Sequence, residues 1–527
     1  MLRLLLIFCF LFTACSKSVQ SNKVLRMNLG FEPPTLDWNL ANDFTSFDII
    51  SVIMVGLTRF DLDENKNITV KPGLAKSWEI SKDNTEYIFH IDKRATWTDG
   101  RAVLAQDFVD SFQRLLDPET AAPYAELLSM IDLKETKALD ERTLFIKLKN
   151  PAAYFIYLTA YGLTLPIRKD LIEKHGKNWT EPKNLVTTGP FYLSDWQHEY
   201  KITLKRNPIF KLNDFDYPDL AQELRYFMVP EQASAFNLYQ NNAIDWIDNR
   251  SIPLSMMSRI KDKAQKIPVL RNTYVGMNHL KKPFDDSNIR KAFNYAVDRE
   301  KLVKIIGKGD LANNTWIPPS LGSFFDIKTI VNEFNKRYKK NIDTQTYQRG
   351  FFPDLAKEFL AKSKYSKSEL ESLTFLIPNI ESSKILAEAL QAMWQETLGI
   401  KVNIEAREWK VFLSSLRDNP PEMWRLNWGA DYPDPDTFTQ LFTRNNQINY
   451  GKFNNPDYDK LSKYAASIQD IKERKDLYTK AEKILSLREM AIMPLFIDTQ
   501  TILKKDNIEG LVVNAMDISF LDEVRIK

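Results

Sequence analysis

The stretch that decides the fold covers residues 423–436 and reads MWRLNWGADYPDPD. In its first half, large apolar residues alternate with polar ones, and this alternation is typical of a half-buried β-strand. Gly429 and Ala430 then remove side-chain bulk, and an acidic loop containing two prolines follows. The loop ends at Asp436, which is predicted to cap a short apolar helix. The stretch therefore predicts a strand that opens into a loop at a site with free space.

Two charged residues in this stretch suggest a ligand that carries both signs of charge. Arg425 lies on the predicted strand, and Asp431 lies where the strand ends, between large aromatic residues. A simpler interpretation is that Arg425 and Asp431 pair with each other and that the Pro-Asp run is a solvated turn. The stretch alone leaves both interpretations open.

The elements before the stretch predict an α/β fold. A helical stripe from Ile385 to Trp394 ends at Gly399 and passes into an alternating strand over residues 400–404. A second helix is predicted over residues 411–416, immediately before the strand of the stretch. This order favours a parallel or mixed sheet. Ligands of such sheets bind beyond the carboxyl ends of the strands, which is where Asp431 falls.

The first residues have the pattern of an export signal. Residues 1–14 combine a positive start, an apolar run and small residues, and are predicted to be a signal peptide. The sequence LFTAC that ends at Cys15 resembles a bacterial lipobox, which implies that Cys15 is a lipidation site. Residues 15–23 would then form a lipid-anchored linker. We therefore expect a protein of the periplasm or cell envelope, held on a bacterial membrane by its N-terminal lipid.

Composition excludes several classes of function. The 527 residues have a net charge of +3, which argues against a nucleic-acid-binding surface. Cys9 and Cys15 are the only cysteines, so the folded body has no internal disulfide and depends on its core for stability. The four histidines form no metal-binding pair, and no phosphate-binding loop or nucleophile elbow is present. No cofactor, metal or catalytic residue is predicted, although an exported hydrolase that uses Asp431, Asp434 and Asp436 remains a distant alternative.

A series of motifs resembles one family along nearly the whole chain. They include PGLAKSWE at 72–79, WTDG at 97–100, DPETAAPYA at 117–125, TGPF at 188–191, RNP at 206–208 and WGADY at 428–432. In this order they resemble the oligopeptide-binding proteins, which are the solute receptors of peptide-importing ABC transporters. Each motif is unspecific alone, since WTDG by itself is only a turn.

The resemblance implies an α/β, periplasmic-binding-protein-like two-lobed fold of type II with an extra inserted subdomain. Lobe one would comprise residues 24–54, 170–277 and 495–527. The inserted subdomain would be residues 55–169, and lobe two residues 278–494. The segment 320–347 looks longer than usual, and it is interpreted either as a segment that reshapes the mouth of the cleft or, preferably, as a surface excursion.

The function implied by the resemblance is the capture of short peptides, without catalysis, for a membrane permease of an ABC transporter. We expect a monomer that binds no nucleic acid. Another receptor of the same fold, for a dipeptide, a murein peptide, haem or a metal chelate, remains an alternative. An N-acetylated peptide would separate these, because it lacks an α-ammonium.

The resemblance also implies the site residues. Asp431 would receive the peptide's α-ammonium, and Arg425 would pair with a C-terminal carboxylate. The main chain of Trp428, Gly429 and Ala430 and of the segment Asn42, Asp43 and Phe44 would hold the peptide backbone. Side-chain pockets would be lined by Trp409, Tyr124 and Tyr274, with Asn278 as a polar contact. Where relatives have a second basic residue, this chain has Ser383, so the preferred peptide length stays open.

Overall fold

The computed structural model of the protein describes residues 23–212, 219–370 and 372–527. The predicted signal peptide and the predicted lipidation site Cys15 lie outside these ranges. Within them, no helix combines the length and the apolar character needed to cross a membrane.

One mixed sheet runs through both halves of the described chain. Ten of its strands lie side by side, and the short strand Leu311–Ala312 pairs off this path with Ile492–Lys504. From edge to edge the ten are Asn403–Arg407, Thr374–Pro378, Met423–Gly429, Gln265–Met277, Ile492–Lys504, Trp246–Ile247, Val24–Asn28, Glu223–Phe227, Lys201–Arg206 and Phe191–Gln197.

Two long antiparallel strands of this sheet, Gln265–Met277 and Ile492–Lys504, cross between the two hydrophobic cores. Their pairing shifts register between Pro268 and Asn272. Leu270 packs in the core of the second lobe, whereas Ile502 packs in the core of the first. The cores therefore divide in the middle of these strands, and not at the lobe boundaries 277/278 and 494/495 that the resemblance implied.

Residues 55–169 add their own sheet but share the first core. The sheet has four strands in the order Ala75–Ile80, Glu86–Ile91, Thr143–Lys147 and Lys137–Ala138. Buried side chains such as Phe89 and Phe112 belong to the same cluster as Leu25 of the large sheet. The described pairs outside these sheets are Thr58–Leu62 with Ile68–Pro72, Ile508–Glu509 with Arg525–Ile526, and Val512–Val513 with Ser519–Phe520.

Helices cover the sheets on the outside of both lobes. In chain order, the α-helices of the described residues are Phe44–Ile53, Ala105–Leu116, Ala125–Leu128, Phe155–Leu158, Lys169–His175, Gln232–Gln240, Met257–Ile260, Ser287–Tyr295, Arg299–Ile306, Ile327–Tyr338, Thr344–Arg349, Pro353–Ala361, Glu381–Leu398, Trp409–Asp418, Asp436–Thr439, Pro456–Ser467 and Ile471–Glu482.

The elements around the decisive stretch form as the sequence predicted. The helix Glu381–Leu398 ends at Gly399, which takes the left-handed conformation with φ of 70° and donates its N–H to the carbonyl of Gln395. The strand Asn403–Arg407 starts three residues later than predicted and runs parallel to Thr374–Pro378, which is also parallel to Met423–Gly429. The carboxyl ends of three parallel strands therefore meet at one edge of the sheet.

The interpretation of residues 320–347 as a surface excursion is wrong. Phe325 and Phe334 are buried in the second core, and the guanidinium of Arg474 lies 4.9 Å from the ring centroid of Phe324. The apolar side chains of the helix Ile327–Tyr338 face inward at helical spacing, so the segment packs as part of lobe two.

Candidate ligand-binding site

The strand Met423–Gly429 leaves one edge of its main chain unpaired towards its end. Its neighbour Gln265–Met277 pairs with it along its whole length, whereas Thr374–Pro378 pairs only at Met423 and Trp424. In antiparallel pairing, alternate residues turn their main-chain groups away from the partner. The free edge after Trp424 therefore offers N–H and C=O groups to an added extended chain.

The register decides which residues offer those groups. The N–H of Ala430 donates to the carbonyl of Leu270 at 2.7 Å, so Ala430 faces the neighbouring strand. Trp428 falls on the same side two residues earlier, whereas Gly429 faces the free edge. The register therefore corrects the predicted main-chain contact of Trp428 and agrees with that of Gly429, whereas for Ala430 only the N–H is engaged and the contact of its carbonyl stays a prediction.

Asp431 presents a partly buried carboxylate at the end of this strand. Its N–H donates to Oγ1 of Thr437 at 3.1 Å. Burial raises the pKa of the Asp431 carboxyl to about 6, and a hydrogen bond with Thr437 partly offsets this. None of the ion pairs of the described chain includes Asp431. The simpler interpretation, a pair between Arg425 and Asp431, therefore does not hold.

A buried ion pair and buried hydrogen bonds fix the loop that follows Asp431. Asp434 is fully buried and forms an ion pair with Arg474 at 2.7 Å, and Tyr478 donates its hydroxyl to the same carboxylate at 3.2 Å. Asp436 accepts the hydroxyl of Tyr432 at 2.8 Å, and burial next to Asp434 raises the pKa of Asp436 to about 7. The Pro-Asp run is thus an anchored loop and not a solvated turn.

The prediction that Asp436 caps the next helix is wrong. Pro435 occupies the capping position, and Asp436 is the first residue of the helix Asp436–Thr439. Its carboxylate is turned inward to Tyr432 instead of towards the helix N–H groups. The buried contacts of Asp434 and Asp436 fix the loop and thereby the position of Asp431.

The wall opposite Asp431 comes from the N-terminal half of the chain. Tyr124 is partly buried, and its pKa is raised to about 12 by burial and next by the charges of Asp431 and Asp43. The charge of Asp431 also reaches Tyr161, whose pKa burial raises. Asp431 therefore lies close enough to both tyrosines for its charge to act on them.

The segment Asn42, Asp43 and Phe44 lies on this wall, and its three side chains differ in how far the fold already engages them. The carboxylate of Asp43 caps the helix Phe44–Ile53, because it accepts the N–H of Ser46 at 2.9 Å and two hydroxyls at 2.6 Å. Phe44 is 64% exposed, and the guanidinium of Arg271 lies 5.4 Å from its ring centroid. Asn42 is exposed. Asn42 and Phe44 remain accessible to a ligand.

Arg425 borders a separate cavity of about 230 Å³. Its Nε is buried without a hydrogen-bond partner, and no ion pair of the described residues includes it. Burial lowers the pKa of Arg425, and the charge of Asp498 opposes this effect. Ser382, in the first turn of the helix Glu381–Leu398, lines the same cavity. A buried guanidinium beside a helix N-terminus is suited to an anionic group.

The structure corrects two of the predicted pocket residues. Tyr274 is buried in the second core, with its ring 4.9 Å from that of Trp316 in an edge-on arrangement. Asn278 is buried beyond the opposite end of the strand from Gly429, and its amide donates to the carbonyl of Pro420 at 3.1 Å. Both faces of the sheet are covered here. The alternation of apolar and polar residues along the strand therefore does not distinguish core residues from residues that contact a ligand.

The side chains of the remaining predicted residues, Trp409 and Trp428, are not fully buried, and their contact with a ligand stays a prediction. Trp409 begins a helix directly after a parallel strand, is 48% exposed and stacks on Phe412. Trp428 is half-buried against the second core, and its Nε1 has no hydrogen-bond partner. No sequence pattern indicates the acids Asp310, Asp498 and Asp517 of the Arg425 cavity, which come from three distant segments.

A cleft between two α/β lobes, with an unpaired carboxylate facing aromatic residues, defines a two-lobed solute-binding receptor. The chain belongs to the bacterial extracellular solute-binding proteins, family 5. Residues 69–450 match the middle region that defines this family. The predicted family and fold class are thereby confirmed.

Similar proteins cover almost the whole chain. The periplasmic oligopeptide-binding protein OppA of Escherichia coli is 30% identical over 501 residues, which are 91% of this chain and 88% of that protein. The unliganded open form of the periplasmic murein tripeptide binding protein MppA superposes with a TM-score of 0.81 at 27% identity, covering 96% of this chain and 98% of that one. OppA of Haemophilus influenzae in complex with the peptide RPPGFSPFR gives 0.71 at 26% identity, covering 96% and 99%. The arrangement of the chain is therefore more similar to an open form.

Proposed function

We propose that this protein is an extracytoplasmic receptor that captures oligopeptides and delivers them to the permease of an ABC-type importer. The observation that carries the proposal is the carboxylate of Asp431, which is partly buried between the lobes and has no cationic partner among the described residues. The names of the similar receptors, OppA and MppA, support a peptide as the ligand.

The first step is recognition of the peptide's α-ammonium by Asp431. An unpaired buried charge is costly, so both groups gain when the ammonium reaches the carboxylate. Tyr124 and Tyr161 on the facing wall exclude water from this contact. The buried pair of Asp434 and Arg474 fixes the loop, so little freedom is lost on binding.

The peptide backbone then adds to the free edge of the strand Met423–Gly429. Main-chain hydrogen bonds made there do not depend on the peptide's side chains, so many sequences can be accepted. Asn42 and Phe44 close this path from the other lobe. Arg425, beyond the first residues of the path, takes the C-terminal carboxylate.

The experiment that tests the proposal is calorimetry with a free peptide and its N-acetylated form. Asp431→Asn should weaken the free peptide by about 30-fold or more, because removal of one partner of a buried pair costs about 2–5 kcal/mol. Asp262→Asn, at an exposed aspartate in lobe one, is the matched control and should bind normally. Equal binding of the acetylated and free peptides by the wild type would contradict the proposal.

The absence of turnover and the lipid anchor are part of the proposal. Peptides recovered from the complex should be intact, and degraded peptide would favour the hydrolase alternative.

Cys15 should carry lipid in the mature protein, so Cys15→Ala should release the protein from the membrane fraction. The receptor is proposed to act as a monomer, which light scattering can measure.

A murein peptide remains a second candidate ligand. It is supported by the similarity of the chain to the murein tripeptide binding protein MppA, two structures of which superpose with TM-scores of 0.81 and 0.73. Native mass spectrometry of protein purified without denaturation would give the masses of retained ligands. Masses of ordinary peptides would favour the first candidate, and masses of cell-wall peptides the second.

A further inference from the structure

The cavity next to Arg425 carries charges of both signs. Its lining includes three acids and three bases, namely Asp310, Asp498, Asp517, Arg271, Lys308 and Arg425. A cavity that only received a carboxylate would need the bases alone. The acids indicate that part of the cavity is built for a cation.

Asp310 is the most deeply buried of the three acids in this cavity, and like Asp517 it takes part in no ion pair of the described residues. It is 7% exposed, and the hydrogen bond described for its side chain is the one accepted from the N–H of Thr499 at 3.0 Å. Asp498, by contrast, accepts the hydroxyl of Thr273 at 3.2 Å and lies 3.6 Å from the guanidinium of Arg271. None of the ion pairs found in the described ranges includes Asp310.

The lysines near Asp310 do not neutralise it. Lys308 and Lys266 are both exposed, and each only lowers the pKa of Asp310 from a distance. Burial and the charge of Asp498 outweigh them and raise the pKa of Asp310 to about 7. Burial and the neighbouring charge therefore disfavour ionisation of this carboxyl in the free protein.

We propose that this cavity selects peptides whose last residue has an amine in its side chain, with the α-carboxylate on Arg425 and the side-chain ammonium on Asp310. The proposal rests on the peptide-binding function above and names the class of ligand for the same site. The charge of Asp498 acts on both groups: it opposes the lowering of the Arg425 pKa and contributes to the raising of the Asp310 pKa. A ligand with both charges would satisfy the two buried groups together.

A bound metal ion is a less suitable occupant of the same place. No cluster of three or more metal-ligating side chains is found in the part of the chain that the structure describes. The nearby guanidinium groups of Arg271 and Arg425 would also repel a divalent ion, whereas a C-terminal lysine residue brings its own α-carboxylate to offset them.

The experiment compares peptides that end in lysine with peptides that end in norleucine, an apolar residue with an unbranched side chain. Alanine peptides of two to five residues with each ending are titrated by calorimetry. At the length that reaches the cavity, the lysine form should bind at least about tenfold more tightly, because it alone pairs with Asp310. Its binding should also release more protons at pH 7 than binding of the norleucine form, since the cation drives ionisation of Asp310.

Asp310→Asn should remove this preference while leaving the norleucine peptides unchanged, which also shows that the variant is folded. The asparagine still accepts the N–H of Thr499, and Asp262→Asn should keep the preference. If no length favours lysine, or if Asp310→Asn weakens both endings equally, the inference is overturned. If no peptide of either ending binds at any length, the proposed function itself fails.

Discussion

The ring of Tyr154 stacks on the ring of Tyr432, with centroids 4.5 Å apart and planes within 7° of parallel. Tyr432 directly follows Asp431, whereas Tyr154 belongs to the segment 55–169. Close by, the N–H of Ala153 donates to the carbonyl of Ala466 at 2.9 Å. The segment 55–169 and the loop that follows Asp431 are therefore in contact at one end of the cleft.

Replacing Tyr154 with leucine tests this contact. The variant keeps apolar bulk but loses the stack, so the free energy of unfolding should fall by about 1 kcal/mol. Chemical denaturation measures the change. Tyr464→Leu, at a largely exposed tyrosine of the other lobe, is the control and should have little effect. Equal stability of Tyr154→Leu and the wild type would show that the stack contributes nothing.

Asp431→Asn should make the unliganded protein more stable at pH 8. The folded protein raises the pKa of this carboxyl from 3.8 to about 6, so its ionised form disfavours folding above that range. The gain should be about 1–3 kcal/mol and should shrink as pH falls from 6 towards 4. Thermal unfolding of both proteins at several pH values measures it. A variant that is less stable at pH 8 would contradict this account.

Peptide affinity should fall in acid because Asp431 must be ionised to bind an ammonium. With a pKa of about 6, the ionised fraction at pH 5 is about one tenth, so binding should be about tenfold weaker than at pH 7. The peptide's own amine stays protonated over this range. Calorimetry at pH 5, 6 and 7 gives the profile, and Asp431→Asn should flatten it. A flat profile in the wild type would assign recognition to another group.

Arg474→Met should destabilise lobe two strongly. The change leaves Asp434 charged, buried and next to Asp436, and loss of one partner of a buried ion pair costs about 3–5 kcal/mol. Lys480→Met removes one partner of an exposed pair with Asp476 and should cost less than about 0.5 kcal/mol. Denaturation curves compare the two variants. A small effect of Arg474→Met would mean that the loop does not depend on this pair.

Local features of the fold could be predicted from the sequence because nearby residues determine them. The strand that contains Trp424 follows from alternation, and the end of a helix at Gly399 follows from its left-handed conformation. The contact that makes Trp424 fit is not local. A Cβ on Gly276 of the neighbouring strand would lie 2.3 Å from the ring of Trp424, so glycine is required there, and no pattern near Gly276 indicates it.

Charged partners from distant segments explain the failures. Asp436 resembles a helix cap because its neighbours are a proline and a threonine, but its carboxylate accepts the hydroxyl of Tyr432 in a buried loop that the distant Arg474 anchors through Asp434. Asp310 and Arg425 line one cavity although 114 residues separate them in the chain. Tyr274 was predicted as a pocket residue because aromatic residues serve both cores and ligands, and burial alone separates these roles.

The two crossing strands have a consequence for engineering. Pro268 lies opposite Thr499, so the second lobe is one uninterrupted stretch whose two ends are adjacent in space. Such a stretch can be exchanged between homologous receptors as a cassette with only two junctions. A chimera of this kind would bring a foreign Asp431 loop and keep the native Phe44 wall, so that ligand preference could be divided between the two halves of the cleft.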